Sequence, residues 1–244
     1  MAKTQENKGA HELNEALNKS EAFIKKYKKA LIAAIVAIIV IVAGIIFYNN
    51  YQAGRSVEAS TAISTAQELI AQQQYEKALK GSGATAPGLI QVASDYSGTE
   101  AGNLANYYAG LCYAKMDKWD EAINYLEKFS PKSDLIISPM SQVALGDAYA
   151  NKKRYDDAID AYRKGVKLAD KASESGENNA VSPMALKKVG IILYEQGKKA
   201  EALKVFQEIK EKYVNAPIVT GDVNQFTGQP SAPEIDKYIE LVSE

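Results

Sequence analysis

Histidine occurs once in the chain, at His11, and cysteine once, at Cys112. Nucleophilic triads need histidine beside serine or cysteine, and structural zinc sites gather several His and Cys ligands. Neither can be assembled beyond the long apolar run that follows His11. Carboxylate pairs are the remaining option, with Asp117, Asp120 and Glu121 in one cluster and Asp156, Asp157 and Asp160 in another. Both fall at a turn or the start of a helical stretch, where negative charge favours the helix dipole, so they read as solvated helix starts. The stretch GSGATAPG, residues 81–88, lacks the Lys-Ser/Thr of a phosphate loop and follows no strand, so it reads as a linker. Cys112 lies between Leu111 and Tyr113 and reads as a small buried hydrophobe that can form no intramolecular disulfide. The expectation is a chain without catalytic, metal-binding or cofactor-binding residues, and not an enzyme.

The elements that remain are helical and repeated. Three segments align: NYYAGLCYAKMDKWDEAINYLEKF from Asn106, QVALGDAYANKKRYDDAIDAYRKG from Gln142 and LKKVGIILYEQGKKAEALKVFQEI from Leu186. Each holds a Gly (Gly110, Gly146, Gly190), then a large residue three positions on (Tyr113, Tyr149, Leu193). An Ala follows nine positions later (Ala122, Ala158, Ala202), and a bulky residue four beyond that (Leu126, Tyr162, Phe206). A small residue lets two antiparallel helices approach, and the large ones fill the space between hairpins. One hairpin cannot bury its apolar face alone, so such units stack as a solenoid. Ala66, Leu69 and Ala78 keep the same offsets and predict a degenerate hairpin upstream, followed by a short helix in APGLIQVASDYSGTEAGN. SAPEIDKYIELVS reads as a capping helix with Ser231 as N-cap, Pro233 in the first turn and Glu234 closing a capping box.

This spacing resembles the tetratricopeptide repeat, with clear copies near 103–134, 139–170 and 183–214 and a cap near 232–243. It departs in carrying Asn106, Gln142 and Leu186 where the family has Trp, and in a linker around 173–183. The resemblance implies that the first helices line a concave, protein-binding surface. Helical geometry then puts Leu104, Tyr107, Tyr108 and Leu111 on that surface from the first clear repeat. The second would add Met140, Val143 and Asp147, and the third Met184, Lys187, Lys188, Ile191 and Tyr194. Tyr107 and Val143 stand where a carboxylate clamp would need polar groups. Flexible Met and amphipathic Tyr suit varied apolar segments.

Ala30 to Tyr48 carry no charge and no Pro, and at 1.5 Å per residue they span roughly 28 Å, about the hydrocarbon thickness of a bilayer. Lys25, Lys26, Lys28 and Lys29 precede this run, and Arg55 is the only basic residue soon after it. That asymmetry predicts a cytoplasmic tail (1–29), a transmembrane helix (30–48) and an exported domain (49–244). Phe47-Tyr48-Asn49-Asn50 shows no small-x-small cleavage pattern and no Cys follows closely, so an uncleaved anchor is expected. The tail carries a net charge of +3 and the whole chain −1, leaving −4 for the exported part, which argues against nucleic-acid binding. Leu13, Leu17, Phe23 and Ile24 form an amphipathic set in the tail that permits a regulatory partner there.

The layout, together with KSEAFIKKYKK and AGNLANYYAGLCYA, resembles the YfgM-like membrane-anchored tetratricopeptide proteins. That resemblance implies an ancillary subunit of the SecYEG translocon in a bacterial inner membrane, with its repeat domain periplasmic. Its partners would be translocon subunits, periplasmic chaperones such as the isomerase PpiD, or unfolded exported clients. A holdase-type chaperone, a scaffold for an envelope complex and a regulator acting through the tail are the functions it leaves open. Protease added to permeabilised envelopes should digest residues 49–244 and spare the tail. A mature chain beginning beyond residue 48 would overturn this topology.

Overall fold

The computed structural model describes residues 2–81, 87–221 and 231–243. Every regular element among them is a helix. In chain order these are α1 (Ala2–Ala71), α2 (Tyr75–Lys80), α3 (Leu89–Asp95), α4 (Glu100–Lys115), α5 (Trp119–Lys128) and α6 (Ile137–Asn151). Then come α7 (Tyr155–Ala172), α8 (Ser182–Glu195), α9 (Lys199–Lys212), α10 (Pro217–Thr220) and α11 (Glu234–Ser243). The chain divides into two units, Met1–Arg55 and Ser56–Glu244.

In the first unit α1 includes Lys25–Asn49, with a mean hydropathy of 3.3 and none of it buried. Ile38, Ile39, Val40 and Ile41 are 59–64% exposed. Leaving such a surface in water costs about 25 cal/mol per Å² of apolar area. The helix is long and apolar enough to cross a membrane. The side chains of His11, Leu13, Leu17, Phe23 and Ile24, and all of residues 82–86, lie outside what the structure describes.

The second unit is a stack of helical hairpins: the last turns of α1 with α2, α4 with α5, α6 with α7, and α8 with α9. All four hairpins turn in the same way. Gln73, Asp117, Lys153 and Gly197 take φ of 60°, 57°, 59° and 75°, the left-handed conformation that ends a helix in a Schellman motif. The next residue's amide (Gln74, Lys118, Arg154, Lys198) donates to the carbonyl of Leu69, Tyr113, Tyr149 and Leu193 at 2.8–3.0 Å. The expected upstream hairpin is therefore present, with the same turn chemistry despite its divergent sequence. Asp120 and Glu121 lie in the first turn of α5, and Asp156 and Asp157 in that of α7. Asp117 supplies the left-handed turn residue itself.

Inside each clear hairpin the glycine of the first helix faces the bulky residue sixteen positions later. A Cβ on Gly110 would sit 2.5 Å from Leu126 Cγ, and one on Gly146 would sit 2.6 Å from Tyr162 Cδ1. One on Gly190 would strike the Phe206 ring. Beside these contacts Ala122, Ala158 and Ala202 are fully buried, as is Cys112. Burial pushes the Cys112 thiol up to about 12, which keeps it protonated and unreactive at neutral pH.

The wider spacing between the last two repeats is held by a polar junction. Asp170 Oδ1 accepts from the Asn178 amide (3.0 Å) and Ser182 Oγ (2.6 Å), and Oδ2 from Lys212 Nζ (2.6 Å) and Tyr213 OH (2.7 Å). Asn178 also folds the turn that leads into α8, its Oδ1 accepting from the amides of Ala180 (3.1 Å) and Val181 (2.8 Å). Burial raises the Asp170 pKa, but the bonds from Lys212, Ser182, the Asn178 amide and Tyr213 outweigh it and hold the carboxyl below its ordinary value. At the far end, α11 begins at Glu234. Its N-cap position therefore falls on Pro233, and Ser231, the expected N-cap, lies two residues before it. Pro lacks the side-chain oxygen that a capping box needs.

Two outcomes follow from this packing. Gly146→Leu should destabilise the protein by about 1–3 kcal/mol or more through overpacking against Tyr162, seen as a lower Tm by circular dichroism. The helix-propensity gain on leaving glycine is about 1 kcal/mol or less and does not offset this. An unchanged melt would overturn the hairpin register. For Asp170, a pKa lower in the folded than in the unfolded state adds stability above the unfolded value of about 3.9, and that stability is lost as pH falls through the folded value. Asp170→Asn should therefore cost about 1–3 kcal/mol at neutral pH. The loss of Tm between about pH 5 and pH 2 should also be smaller than in the wild type; parallel acid profiles would refute the linkage.

Candidate protein-interaction surface

The face carried by the first helices is continuous along α4, α6 and α8. Leu104, Tyr108 and Leu111 of α4, Met140 of α6, and Met184, Ile191 and Tyr194 of α8 are partly buried and pack on the core with one side. Helical periodicity places them there: Leu104, Tyr108 and Leu111, like Met184, Ile191 and Tyr194, follow i, i+3, i+4 or i+7 spacing. Each side chain keeps part of its apolar surface open to solvent.

Two residues expected on this face are not available to it. Tyr107 is 8% exposed and Val143 2% exposed, both within the core. Tyr107 turns inward because it packs against the rings of Phe129 (5.6 Å between centroids) and Tyr108 (5.2 Å). Burial, reinforced by Tyr108 and Asp134, pushes its hydroxyl up to about 12. These positions fill the space between neighbouring hairpins, and a polar clamp has no room there.

The charged members of the face are paired. Asp147 Oδ1 accepts from Lys188 Nζ at 2.7 Å and from Tyr162 OH at 2.6 Å, which ties α6 to α8 and to the ring that Gly146 accommodates. Burial first, and then the bond to Asp147, raise the Tyr162 hydroxyl well above its ordinary range, so it stays a donor. Lys187 Nζ reaches Glu234 Oε1 at 3.2 Å and lies 5.9 Å from the centre of the Tyr238 ring. Glu234 and Tyr238 of α11 thus border the α8 end of the face. Sequence reasoning placed the capping helix but missed these residues, because nothing in local periodicity says which side of α8 a distant helix will meet. Ala144 was missed too: it is partly buried on the core between Met140 and Asp147, and its i+4 spacing from Met140 was the available signal.

A separate groove of about 800 Å³ lies between α3, the first half of α4 and the end of α5. It opens because α5 stops after 10 residues, where α7 runs for 18. Ser94, Ser97, Asn103, Asn106 and Lys128 contribute polar groups to its wall beside Ile90, Ala93 and Tyr125, and Asn103 is already engaged with the backbone of Ser130 (2.8 and 2.7 Å). The two buried unsatisfied polar atoms among the described residues, Asn179 Oδ1 and Gln196 Oε1, lie outside it. The half-exposed apolar face is the stronger candidate for recognition, although it is the shallower feature. No group of three or more His, Cys, Asp or Glu among the described residues could hold a metal ion.

Comparison with known proteins places this architecture. No curated protein matches the chain. The sequence pattern of the family described as "T7SS, ESX-1 secretion system protein EccA1, N-terminal domain" matches residues 12–220, from before the apolar segment to the end of α10. With most of its length and all of its hairpins inside that match, the chain belongs to the EccA1 N-terminal domain family.

Proposed function

We propose that the protein is a non-catalytic, membrane-tethered interaction module that receives polypeptides in transit through a secretion machinery. The observation that carries this reading is the row of half-buried Met, Leu, Ile and Tyr side chains along α4, α6 and α8, whose neighbouring charges are already paired. Such a surface recognises apolar character more than a particular sequence. The candidate span at Lys25–Asn49 would hold it at the membrane, raising its effective concentration where chains emerge. On the resemblance to YfgM-like proteins, the anchor would lie in a bacterial inner membrane with the hairpins on the periplasmic side. The protein would then act there beside the Sec translocon as a holdase.

A second reading has its own support. The matched family is described as part of a secretion-system protein, which favours a scaffold that binds one fixed component. Photocrosslinkers placed at Met184 and Tyr194 in intact cells separate the two. Heterogeneous exported chains support the holdase, and one stoichiometric protein supports the scaffold.

Met184→Ser with Ile191→Ser should weaken capture of an unfolded exported protein, since an effective apolar anchor contributes about 1–2 kcal/mol. Circular dichroism should show the helical signal intact. Added salt should change capture little, because Lys187 and Lys188 already pair with Glu234 and Asp147. Normal capture by the folded double variant would remove this face from the function.

A further inference from the structure

Asn106 stands where the repeat family has Trp, and it lines the groove of about 800 Å³ between α3, α4 and α5. A short carboxamide in place of a large ring leaves room there. Gly102, also on the wall, draws α4 against the end of α3, since a Cβ on it would lie 2.6 Å from the Tyr96 carbonyl carbon. The α4 wall runs from Thr99 to Asn106, about 10 Å of helix at 1.5 Å per residue. That length matches about three residues of extended chain at about 3.3 Å each.

One wall already holds a main chain. The polypeptide leaves α5 extended, with Phe129 at φ −69° and ψ 127°. Asn103 Nδ2 then donates to the Ser130 carbonyl at 2.8 Å, and Asn103 Oδ1 accepts from the Ser130 amide at 2.7 Å. A carboxamide carries the same donor and acceptor as a peptide group, so it can pair with both main-chain groups of one residue. Asn106 lies one turn further along the same side of α4. Its Nδ2 donates to the Gly102 carbonyl at 3.1 Å, whereas its Oδ1 accepts nothing among the described residues and is not buried. Across the groove, the exposed Ser94 and Ser97 hydroxyls of the α3 side have no partner among the described residues. Both walls thus present uncharged hydrogen-bonding groups. The charged groups on the wall are Glu100, Lys128 and Lys132, of both signs, without the concentration of cations that a polyanion requires.

We propose that this groove is a second polypeptide-binding site, one that takes an extended, uncharged segment by its main chain. An extended chain turns hydrogen-bonding groups to both of its sides, which is what two polar walls can meet. Asn106 Oδ1 accepts a main-chain N–H of the segment, and the Ser94 and Ser97 hydroxyls meet its other edge. Ile90, Ala93 and Tyr125 receive small apolar side chains between them. Main-chain bonds supply affinity in this mode, and side-chain pockets supply selectivity. The groove lies within the second unit and shares no wall residue with the apolar face of α4, α6 and α8. The two sites therefore divide the work by chemistry, one for apolar segments and one for polar ones.

The test uses the full chain in detergent micelles and the amidated hexapeptide Gly-Ser-Val-Thr-Ala-Ser, carrying an uncharged fluorophore and followed by anisotropy. The peptide should bind, and inorganic phosphate should not displace it. An analogue N-methylated at Val and Ala keeps every side chain but loses two main-chain donors, and it should bind at least roughly tenfold more weakly. Asn106→Leu should weaken binding of the parent peptide by up to about tenfold. Ser97→Trp, at an exposed position, should fill the groove and abolish binding, with circular dichroism checking that both variants stay helical. Met184→Ser with Ile191→Ser, which alters the apolar face, should leave this binding unchanged. No binding to the wild type, equal binding of the N-methylated analogue, or binding that survives Ser97→Trp each overturns the inference and leaves the apolar face untouched. Displacement by phosphate, with preference for an analogue carrying Asp in place of Ser, makes the groove an anion site and also overturns it. Loss of binding in the Met184 and Ile191 double variant moves the peptide to the apolar face, which overturns the groove and supports the other site.

Discussion

A missing Cβ facing a large side chain closes each clear hairpin. Gly110 opposite Leu126, Gly146 opposite Tyr162 and Gly190 opposite Phe206 bring the two helices so close that any side chain at the glycine would collide. Everything else in the stack inherits that spacing. The large residues, seated against glycine, are 1–2% exposed, and burying a side chain of this size contributes about 1.5–3 kcal/mol. A mid-helix glycine costs roughly 1 kcal/mol against alanine. The burial gain exceeds the backbone cost, which explains why a poor helix former recurs in the middle of three otherwise good helices. In the second hairpin the same contact also sets the interaction face, because the Tyr162 ring held against Gly146 directs its hydroxyl to Asp147.

Where the repeat spacing widens, polar bonding takes over from apolar packing. α7 continues to Ala172, and the chain needs the segment to Val181 before α8 can start. Such a segment carries backbone groups that a helix would have satisfied internally. Asp170 and Asn178 satisfy several of them and tie the ends of α7 and α9 to the start of α8. Asn178 extends the tie to the loop before α6 through Leu135. The carboxylate of Asp170 and the side-chain oxygen of Asn178 each have specific donors there, and a slipped register would leave them unpaired.

Charge decides the character of the exposed apolar face. On the face of α4, α6 and α8 the charged groups neutralise each other, so apolar area is what a partner meets. Ion pairing thus leaves that face suited to uncharged segments.

Helix content, the hairpin register and the place of the glycine where two helices touch were legible in the sequence, because they depend on spacings within one hairpin, where residues near in the chain are near in space; that Leu126, Tyr162 and Phe206 seat on that glycine, and not between hairpins as their size suggested, was decided by the packing. The divergent first hairpin was legible for the same reason: Ala66, Leu69 and Ala78 keep the local offsets, and Gln73 takes the shared left-handed turn. The apolar segment was legible from composition alone. The start of α11 was misjudged by a few residues, since Ser231 has the chemistry of an N-cap but the helix begins at Glu234. Which first-helix residues stay open was decided by tertiary structure. Tyr107 and Val143 share the helical face of their neighbours, yet contacts between hairpins turn them into the core. The pairings of Lys188 with Asp147 and of Lys187 with Glu234 were equally invisible, because each joins helices distant in sequence. Periodicity determines which side of a helix is apolar; how much of that side a neighbour covers depends on how the hairpins stack.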